Sequence, residues 1–381
     1  MTSRERLLTA IANGKPDRLP ATTHTVQRYY LDKYEGGASI KEFFHKHKLD
    51  RIDWIYPFMP DEAAGQYWSD PAETGYEGIV SDTWRITTAP VSGEEYPTTR
   101  FTIATPDGEL TMVKQKNEYT QWVTEQLIKE KGDLDIIAKH APHFICDQQM
   151  VRDHAEAIGE EGIVRTNIPV FDIYGQPGCW QDASVLYGIE RLIMETFDDP
   201  DWVKALLEVL RDRKLTYIRT MHGAPIDINE LGGGDASTTV ISPDLFNEFV
   251  APFDAPLIEA AHEAGQRIVY HTCGGMMPIL EDIASMGPDA METFTPPGMG
   301  ADVDLAEAYE RIADRVCFIG GFDQGYYLQK ATPDETKAEV RRCFEAAGKN
   351  GGFIISPSDH FFDAKPELLS AFAEAAAECT Y

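Results

Sequence analysis

The sequence predicts a parallel α/β barrel of the (β/α)8, or TIM, type, and three observations support this prediction. Short buried strand patterns alternate with helical patterns along the second half of the chain. Capping signatures precede several helices, as in residues 242–244 and 332–335. The length of 381 residues is compatible with one barrel carrying an insertion. We therefore expect residues 1–381 to form a single domain.

The second half of the chain supplies most of the strand and helix units. The predicted strands are residues 225–231, 267–270, 290–294, 316–320 and 352–355. The predicted helices are residues 243–264, 277–285, 305–312, 333–348 and 366–378. Repeated strand-helix units of this kind predict a parallel sheet.

The first half shows the same alternation, interrupted by an insertion at about residues 78–125. A helix over residues 2–11 precedes strand patterns at 18–24, 51–56 and 162–171, and a long helix begins at Asp199-Pro200. Within the insertion, residues 79–86 and 99–104 alternate with a period of two, and Pro106-Asp107-Gly108 predicts a turn into a strand at 110–114. We expect an antiparallel β excursion here.

Composition excludes several partner classes. The formal charge is 34 minus 63, or −29, which opposes binding to nucleic acid or to an anionic membrane surface. The charged N-terminal segment lacks the apolar core of a signal peptide, and no run of 18 apolar residues occurs. Six widely spaced cysteines indicate free thiols. We expect a cytoplasmic protein with neither a nucleic-acid nor a membrane partner.

The segment His271-Thr272-Cys273-Gly274 carries the clearest chemical signal. It follows the strand pattern of residues 267–270, so His271 and Cys273 leave the strand end two residues apart and on one face. Imidazole and thiolate are preferred zinc ligands, and the glycine lets the backbone approach an ion. The alternative is that Cys273 is a small core residue and His271 a buried structural histidine.

Other polar residues follow the predicted strands and would share the same end of a barrel. Active sites of such barrels gather at the C-terminal ends of the strands. There the sequence places Asp172, Asn229, Glu230, Glu292, Asp323, Asp359 and His360. For any single acid in this group the alternative is a loop cap or a solvated charge. His360 or Asp359 would supply the third ligand that a zinc site with an open position needs.

The chain resembles the uroporphyrinogen decarboxylase superfamily, and within it the zinc-dependent corrinoid methyltransferases. The motifs that carry the resemblance are Asp199-Pro200, residues 242–249, His271-Thr272-Cys273-Gly274, residues 318–323 and residues 351–357. The resemblance implies a TIM-type barrel. It departs from the decarboxylases at residues 23–29, where their arginine-rich segment for substrate carboxylates is missing. It departs from the methyltransferases at residues 356–360, where the usual third cysteine ligand is absent and Asp359 or His360 must replace it.

By this resemblance, the chain is a methyltransferase that moves a methyl group between methylcobalamin on a corrinoid protein and a small molecule. The acceptor would be tetrahydrofolate or a thiol such as coenzyme M, and transfer from a methoxy or methylamine donor is the reverse alternative. Glu230 and Asp172 are the expected catalytic acids, and Asn229, Asp235, Asp82 and Asp323 the expected substrate-binding residues. Asp82 is also the candidate central carboxylate of the second alternative, a decarboxylase without metal. The third alternative is a binding protein that keeps the barrel but has lost the metal.

Overall fold

The structure is a computed structural model that describes residues 1–61, 65–70, 76–169, 171 and 175–381. Its strands are β1 (Arg51–Trp54), β2 (Phe58–Pro60), β3 (Gln66–Asp70), β4 (Tyr76–Val80), β5 (Arg85–Val91), β6 (Thr98–Thr105), β7 (Gly108–Lys116), β8 (Gln121–Glu125), β9 (Phe144–Cys146), β10 (Gly162–Asn167), β11 (Ile228–Gly232), β12 (Ile268–His271), β13 (Ala290–Thr293), β14 (Cys317–Phe322) and β15 (Phe353–Pro357).

The helices occupy most of the connections between these strands. They are α1 (Ser3–Ile11), α2 (Arg28–Tyr34), α3 (Ile40–His47), α4 (Asp133–His140), α5 (Gln148–Ile158), α6 (Cys179–Tyr187), α7 (Ile189–Asp198), α8 (Pro200–Thr220), α9 (Pro243–Phe249), α10 (Ala251–Glu263), α11 (Leu280–Ser285), α12 (Leu305–Ile312), α13 (Gln324–Tyr327), α14 (Pro333–Cys343) and α15 (Pro366–Glu378). Within the described residues, no helix combines the length and apolar character needed to cross a membrane.

The main sheet is parallel and curls into a barrel. Its strands follow the order β1-β10-β11-β12-β13-β14-β15. Residues 20–22 lie between the two edge strands: Ala21 forms a parallel bridge with Ile355 of β15, and the backbone N–H of Asp50, beside β1, donates to the carbonyl of Ala21 over 2.7 Å. This short segment takes the place of the remaining strand. The prediction of a TIM-type barrel is therefore confirmed.

The barrel interior is filled in layers by residues two positions apart on each strand. The lower layer is apolar and includes Ile52, Ile163, Ile228, Val269, Ala290 and Cys317, against which α1 packs Leu7, Ala10 and Ile11. Side chains of a strand alternate between its two faces, so the residues two positions further along also point inward. This rule places Trp54, Arg165, Glu230, His271 and Glu292 in the next layer, at the C-terminal ends of the strands.

The insertion consists of antiparallel pairs. Strands β5, β6, β7 and β8 form one sheet in that order, and β3 pairs with β4. The structure divides the predicted strand 79–86, because Ser81 and Trp84 exchange backbone hydrogen bonds and form a turn between β4 and β5. The hydroxyl of Ser81 accepts from the backbone N–H of Thr83 over 3.3 Å, a local bond that favours a turn over a continuous strand.

The predicted helix 243–264 is also divided in the structure. Val250, which belongs to neither helix and has φ −113° and ψ −64°, separates α9 from α10. Pro252 lies two residues further on and has no backbone N–H to continue the hydrogen bonds of α9. The capping signature at Ser242 is present, since its side chain accepts from the backbone N–H of Leu245.

Candidate metal and active site

The inward-facing upper layer of the barrel forms a buried polar cluster. His24, Glu230, His271 and Glu292 each offer one ligand atom, and these four atoms lie within 4.8 Å of one another. Glu230, His271 and Glu292 come from the adjacent strands β11, β12 and β13. Glu292 lies opposite His271 in the strand register, which explains why these two side chains meet.

His24 enters the cluster from the segment that closes the barrel. Its Nε2 lies 3.3 Å from Oε2 of Glu230 and 3.4 Å from Oε1 of Glu292. The indole N–H of Trp54 donates to the carbonyl of His24 over 3.1 Å and holds the segment in place. The two carboxylates therefore share one imidazole as well as lying on neighbouring strands.

Arg165 of β10 lies beneath both carboxylates. Its guanidinium donates to Glu230 and to Glu292, with Nη1 2.9 Å from Oε2 of Glu292. The guanidinium also stacks on the ring of Trp54, 4.3 Å from the ring centroid. Arg165 is fully buried, and its charge compensates the two acids in a place where water does not reach.

Glu292 fixes the tautomer of His271. The Nδ1 of His271 lies 2.8 Å from Oε1 of Glu292, and burial, which alone would raise the pKa of Glu292, is outweighed by Arg165, His24 and His271, which lower it far below its usual value. An ionised carboxylate only accepts, so Nδ1 carries the proton. The lone pair of neutral His271 therefore resides on Nε2, the arrangement that metal-binding histidines adopt.

The chain after β12 is shaped to present Cys273. The thiol lies within hydrogen-bonding reach of His271, and its side chain is partly exposed. A Cβ atom at Gly234 would lie 2.6 Å from Sγ of Cys273, so only glycine leaves room for the sulfur there. Gly274 has φ +117°, and the backbone N–H of Gly275 donates to the hydroxyl of Thr239 over 2.8 Å. His271 and Cys273 thus face each other at the C-terminal end of the barrel.

His360 reaches the cluster from the loop after β15, the strand next to the segment of His24. Its Nδ1 lies 3.4 Å from Nδ1 of His24, and the two ring centroids are 4.9 Å apart. Asp359 is turned toward its own backbone, since its Oδ1 accepts from the N–H of His360 over 2.6 Å. Of the two residues proposed as third ligand, His360 is the one whose ring contacts the cluster.

Burial and neighbouring charges give the histidines opposite protonation states. Burial lowers the pKa of His24 and of His271, but the carboxylates of Glu292 and Glu230 outweigh it and raise both pKa values above the usual range. Burial and the nearby His24 lower the pKa of His360 to about 4. The shifts therefore favour the protonated forms of His24 and His271, whereas His360 is neutral at neutral pH.

The remaining predicted site residues lie elsewhere. Asn229 points to the other face of β11, where its amide donates to the carbonyl of Arg267 over 3.1 Å. Asp235 accepts from Gln181 and Ser184, Asp323 caps α13, and Asp82 is exposed in the turn between β4 and β5. None of these four contacts the cluster within the described chain. Asp172 lies outside the described residues.

The sequence does not predict two residues of the site, His24 and Arg165, and it predicts Glu292 only as an acid at the end of a strand. His24 precedes a helix and lacks the spacing of a metal motif, so only the closure of the barrel reveals it. Arg165 sits in the middle of a strand pattern, where a charged side chain facing a barrel interior is itself a signal. Glu292 was recognised at the end of its strand, but its pairing with His271 depends on register, which the sequence does not state.

Four donors lie close enough together to share one ion: the imidazoles of His24 and His271 and the carboxylates of Glu230 and Glu292. Cys273 and His360 are not among these four clustered donors of the described chain. Zinc prefers imidazole, thiolate and carboxylate ligands at about 2.0 to 2.3 Å, so ligand atoms lie about 3 to 4 Å apart. The ring of His271 has the thiol of Cys273 within hydrogen-bonding reach, and Cys273 is partly exposed. Within the described chain, the hydrogen bonds of Glu230 and His360 to the cluster use Oε2 and Nδ1. Arg165 bonds Glu230, and Glu292 bonds His271.

The fold and this layer of ionisable residues define an enzyme-type barrel site, and comparison identifies its family. The family model for uroporphyrinogen decarboxylase (URO-D) matches residues 153–379. The chain therefore belongs to the uroporphyrinogen decarboxylase family, which confirms the family expected from the motifs.

Individual relatives are distant and carry two different names. The chain is 25% identical over 182 residues to the methylcobamide:CoM methyltransferase MtaA of Methanosarcina barkeri, covering 48% of this chain and 51% of that protein. It is 26% identical over 184 residues to the uroporphyrinogen decarboxylase of Chlorobaculum tepidum, covering 48% of each. The chain thus spans about half the length of these relatives.

One solved structure shares the fold over nearly the whole chain. A methyltransferase from Methanosarcina mazei superposes with a TM-score of 0.64 at 16% identity, covering 99% of each chain. At this identity the similarity shows a common fold.

Proposed function

We propose that this protein is a zinc-dependent methyltransferase that moves a methyl group between a corrinoid carried by a partner protein and a small molecule. The observation that carries the proposal is the pair of His271 and Cys273, which face each other at the open end of the barrel with His271 oriented by Glu292. The relatives that are named as methyltransferases support the proposal of methyl transfer.

Zinc, when bound, supplies a Lewis acid that activates the atom receiving or releasing the methyl group, and the corrinoid carries that group. His271 and Cys273 are the proposed ligands, with His360 as the third and Glu230 as a further donor. In this arrangement Glu292 keeps the proton of His271 on Nδ1, and Arg165 keeps both carboxylates ionised. Binding of zinc to His271 would displace the proton from its Nε2.

The ring of His360 is the proposed third ligand, and when it is not bound to zinc it is also the nearest neutral base. Its pKa of about 4 leaves one ring nitrogen unprotonated at neutral pH. His24, whose protonated form is favoured by Glu230 and Glu292, is the corresponding proton donor. A small acceptor would give up its proton to His360, and a leaving group in the reverse direction would take one from His24.

The charge of the mouth favours a substrate without an anionic group near the reacting atom. Within the described chain, Arg165 is the only lysine or arginine that pairs with the cluster, and both of its partners are carboxylates of the cluster itself. The residues outside the described ranges contain no lysine or arginine. The guanidinium of Arg165 is therefore already paired and is not available to a sulfonate or carboxylate.

The same observation favours methyl transfer over the decarboxylase alternative suggested by other relatives. A porphyrinogen carries several carboxylates and needs cationic partners. Here the buried guanidinium is already shared by Glu230 and Glu292. Among thiol and amine acceptors, we accordingly favour neutral or cationic ones.

A methyl-transfer assay tests the proposal. Zinc-loaded protein is mixed with methylcobalamin and a panel of neutral thiols and amines, and loss of the cobalt-bound methyl group is followed by absorption. We expect demethylation that His271→Ala abolishes and His262→Ala leaves unchanged, because His262 lies on α10 and bonds only Asp289. Demethylation that proceeds equally in His271→Ala would contradict the proposal.

A further inference from the structure

The tip of the β7–β8 hairpin touches both chain segments that carry the outer histidines of the site. Tyr119 lies in the turn of this hairpin. Its ring packs edge-on against Tyr29, with centroids 4.6 Å apart, and against Phe362, with centroids 5.1 Å apart. Tyr29 follows His24 by five residues, and Phe362 follows His360 by two.

The turn is built to hold this tyrosine in a fixed position. The side-chain oxygen of Asn117 accepts from the backbone N–H groups of Tyr119 and Thr120, both over 2.9 Å. Below the tip, Phe101 and Met112 of the same sheet are fully buried in the main hydrophobic core. The hairpin is therefore anchored to the barrel at its base, and only its tip reaches the mouth.

A second contact joins the same two segments without the hairpin. Asp363 accepts from the hydroxyl of Tyr34 over 2.6 Å and from Nζ of Lys33 over 3.0 Å. These bonds are exposed, so water competes for them. Ring contacts are less sensitive to water, and two edge-to-face pairs favour the joined arrangement by roughly tenfold or more.

We propose that the hairpin tip is a clasp and that Tyr119 is a positioning residue, which holds the segments of His24 and His360 together at the mouth. The two imidazoles come from opposite ends of the sequence, 336 residues apart, and meet at 3.4 Å. The bridge between Ala21 and Ile355 and the buried ring contact of Tyr30 with Phe361, with centroids 4.9 Å apart, already join the two segments. The clasp adds to these contacts at the mouth and restricts the two histidines there, and this role rests on the proposed function only insofar as those histidines serve the metal.

Hydrogen exchange of the full-length protein measures the clasp directly. We expect Tyr119→Ala to speed amide exchange about tenfold in residues 22–30 and 358–364, because both segments lose a ring partner. Tyr119→Phe keeps the ring and should behave as wild type. Tyr96→Ala is the matched control: Tyr96, in the loop between β5 and β6, is 37% exposed like Tyr119, but its ring contacts Trp122.

A second variant tests the clasp from the other side. Phe362→Ala removes one partner of Tyr119, so it should speed exchange in residues 22–30 and also at the hairpin tip, residues 116–121. Acceleration confined to the mutated segment, or equal acceleration in Tyr96→Ala, would overturn the proposal.

Zinc affinity separates this inference from the proposed function. In zinc-loaded protein, Tyr119→Ala should raise the apparent dissociation constant about tenfold, as loss of an outer supporting contact does, and Tyr119→Phe should not. If wild type binds no zinc but the exchange pattern is as expected, the clasp stands and the proposed function fails. If zinc binds and exchange is unchanged in Tyr119→Ala, the clasp is wrong and the function stands.

Discussion

The Nδ1–H of His271 donates to Oε1 of Glu292 over 2.8 Å, and this one bond turns the free nitrogen of the imidazole toward the mouth. The bond depends on strand register, because Glu292 of β13 lies beside His271 of β12. Glu292 is in turn held by Arg165. Glu292 and Arg165 thus set the chemistry of the site through the side chains that would contact a substrate.

Glu292→Gln tests this supporting role. The substitution replaces the ionised carboxylate that accepts from Nδ1 by an amide, so the proton of His271 is no longer fixed on Nδ1. We expect zinc affinity to fall roughly 10- to 100-fold. Competition with a chelator of known affinity measures the change. Glu281→Gln is a suitable control, since Glu281 pairs with Arg311 on the surface. An unchanged affinity in Glu292→Gln would argue against the orienting role.

Arg165→Leu tests the buried charge balance. Removing the guanidinium leaves two buried carboxylates with no cation beneath them, and we expect a loss of about 3 to 5 kcal/mol in the free energy of unfolding. Urea denaturation of the metal-free protein measures it. Arg341→Leu, which breaks the exposed pair with Glu378, should cost less than about 1 kcal/mol. Similar losses in the two variants would mean that Arg165 is not paired as described.

The metal-free protein should lose stability as the pH rises above neutrality. The folded-state pKa values of His24 and His271 are raised, above the usual 6.5, by Glu292 and Glu230, which outweigh burial. The folded protein therefore binds more protons than the unfolded chain, and the stability from these groups, complete below about pH 6.5, is lost as the pH passes their folded-state pKa.

Glu230 and Glu292 give the opposite dependence of stability on pH. Burial raises their pKa values, but the surrounding cations outweigh it and lower them below 4.5, so their contribution is complete above that pH and is lost as the pH falls through the lowered values. Thermal unfolding of chelator-treated protein between pH 6 and 9 should show a falling melting temperature. His271→Gln should flatten that fall, and an equally steep fall in the variant would contradict the assignment.

The third ligand is testable by two single substitutions. We expect His360→Ala to lower zinc affinity by orders of magnitude and Asp359→Ala to have a small effect, because the ring of His360 reaches His24 while Asp359 bonds its own backbone. Metal titration of each variant gives the result. Equal and mild effects would exclude both residues as ligands.

Much of the architecture could be predicted from the sequence, because strand and helix periods and capping residues are local signals. The strand that ends at His271 and the helix capped by Ser242 are examples. The breaks at Ser81 and Val250 were missed, since they depend on one side-chain bond and on the missing N–H of Pro252.

The site could be predicted only in part. His271 and Cys273 share one short motif, and Glu230 and His360 lie at the ends of predicted strands. Local sequence patterns therefore predict these residues as site residues. His24 and Arg165 belong to the site because the barrel closes through residues 20–22 and because β10 turns Arg165 inward. Asn229 was expected beside Glu230, but neighbouring residues of a strand point to opposite faces.

Elemental analysis of protein purified without chelator tests the central claim most directly. We expect about one zinc ion per chain in wild type and in His262→Ala, and almost none in His271→Ala or Cys273→Ala. Wild-type protein without zinc that also fails to take it up from solution, or a His271→Ala variant that keeps its full zinc content, would show that these residues form no zinc site.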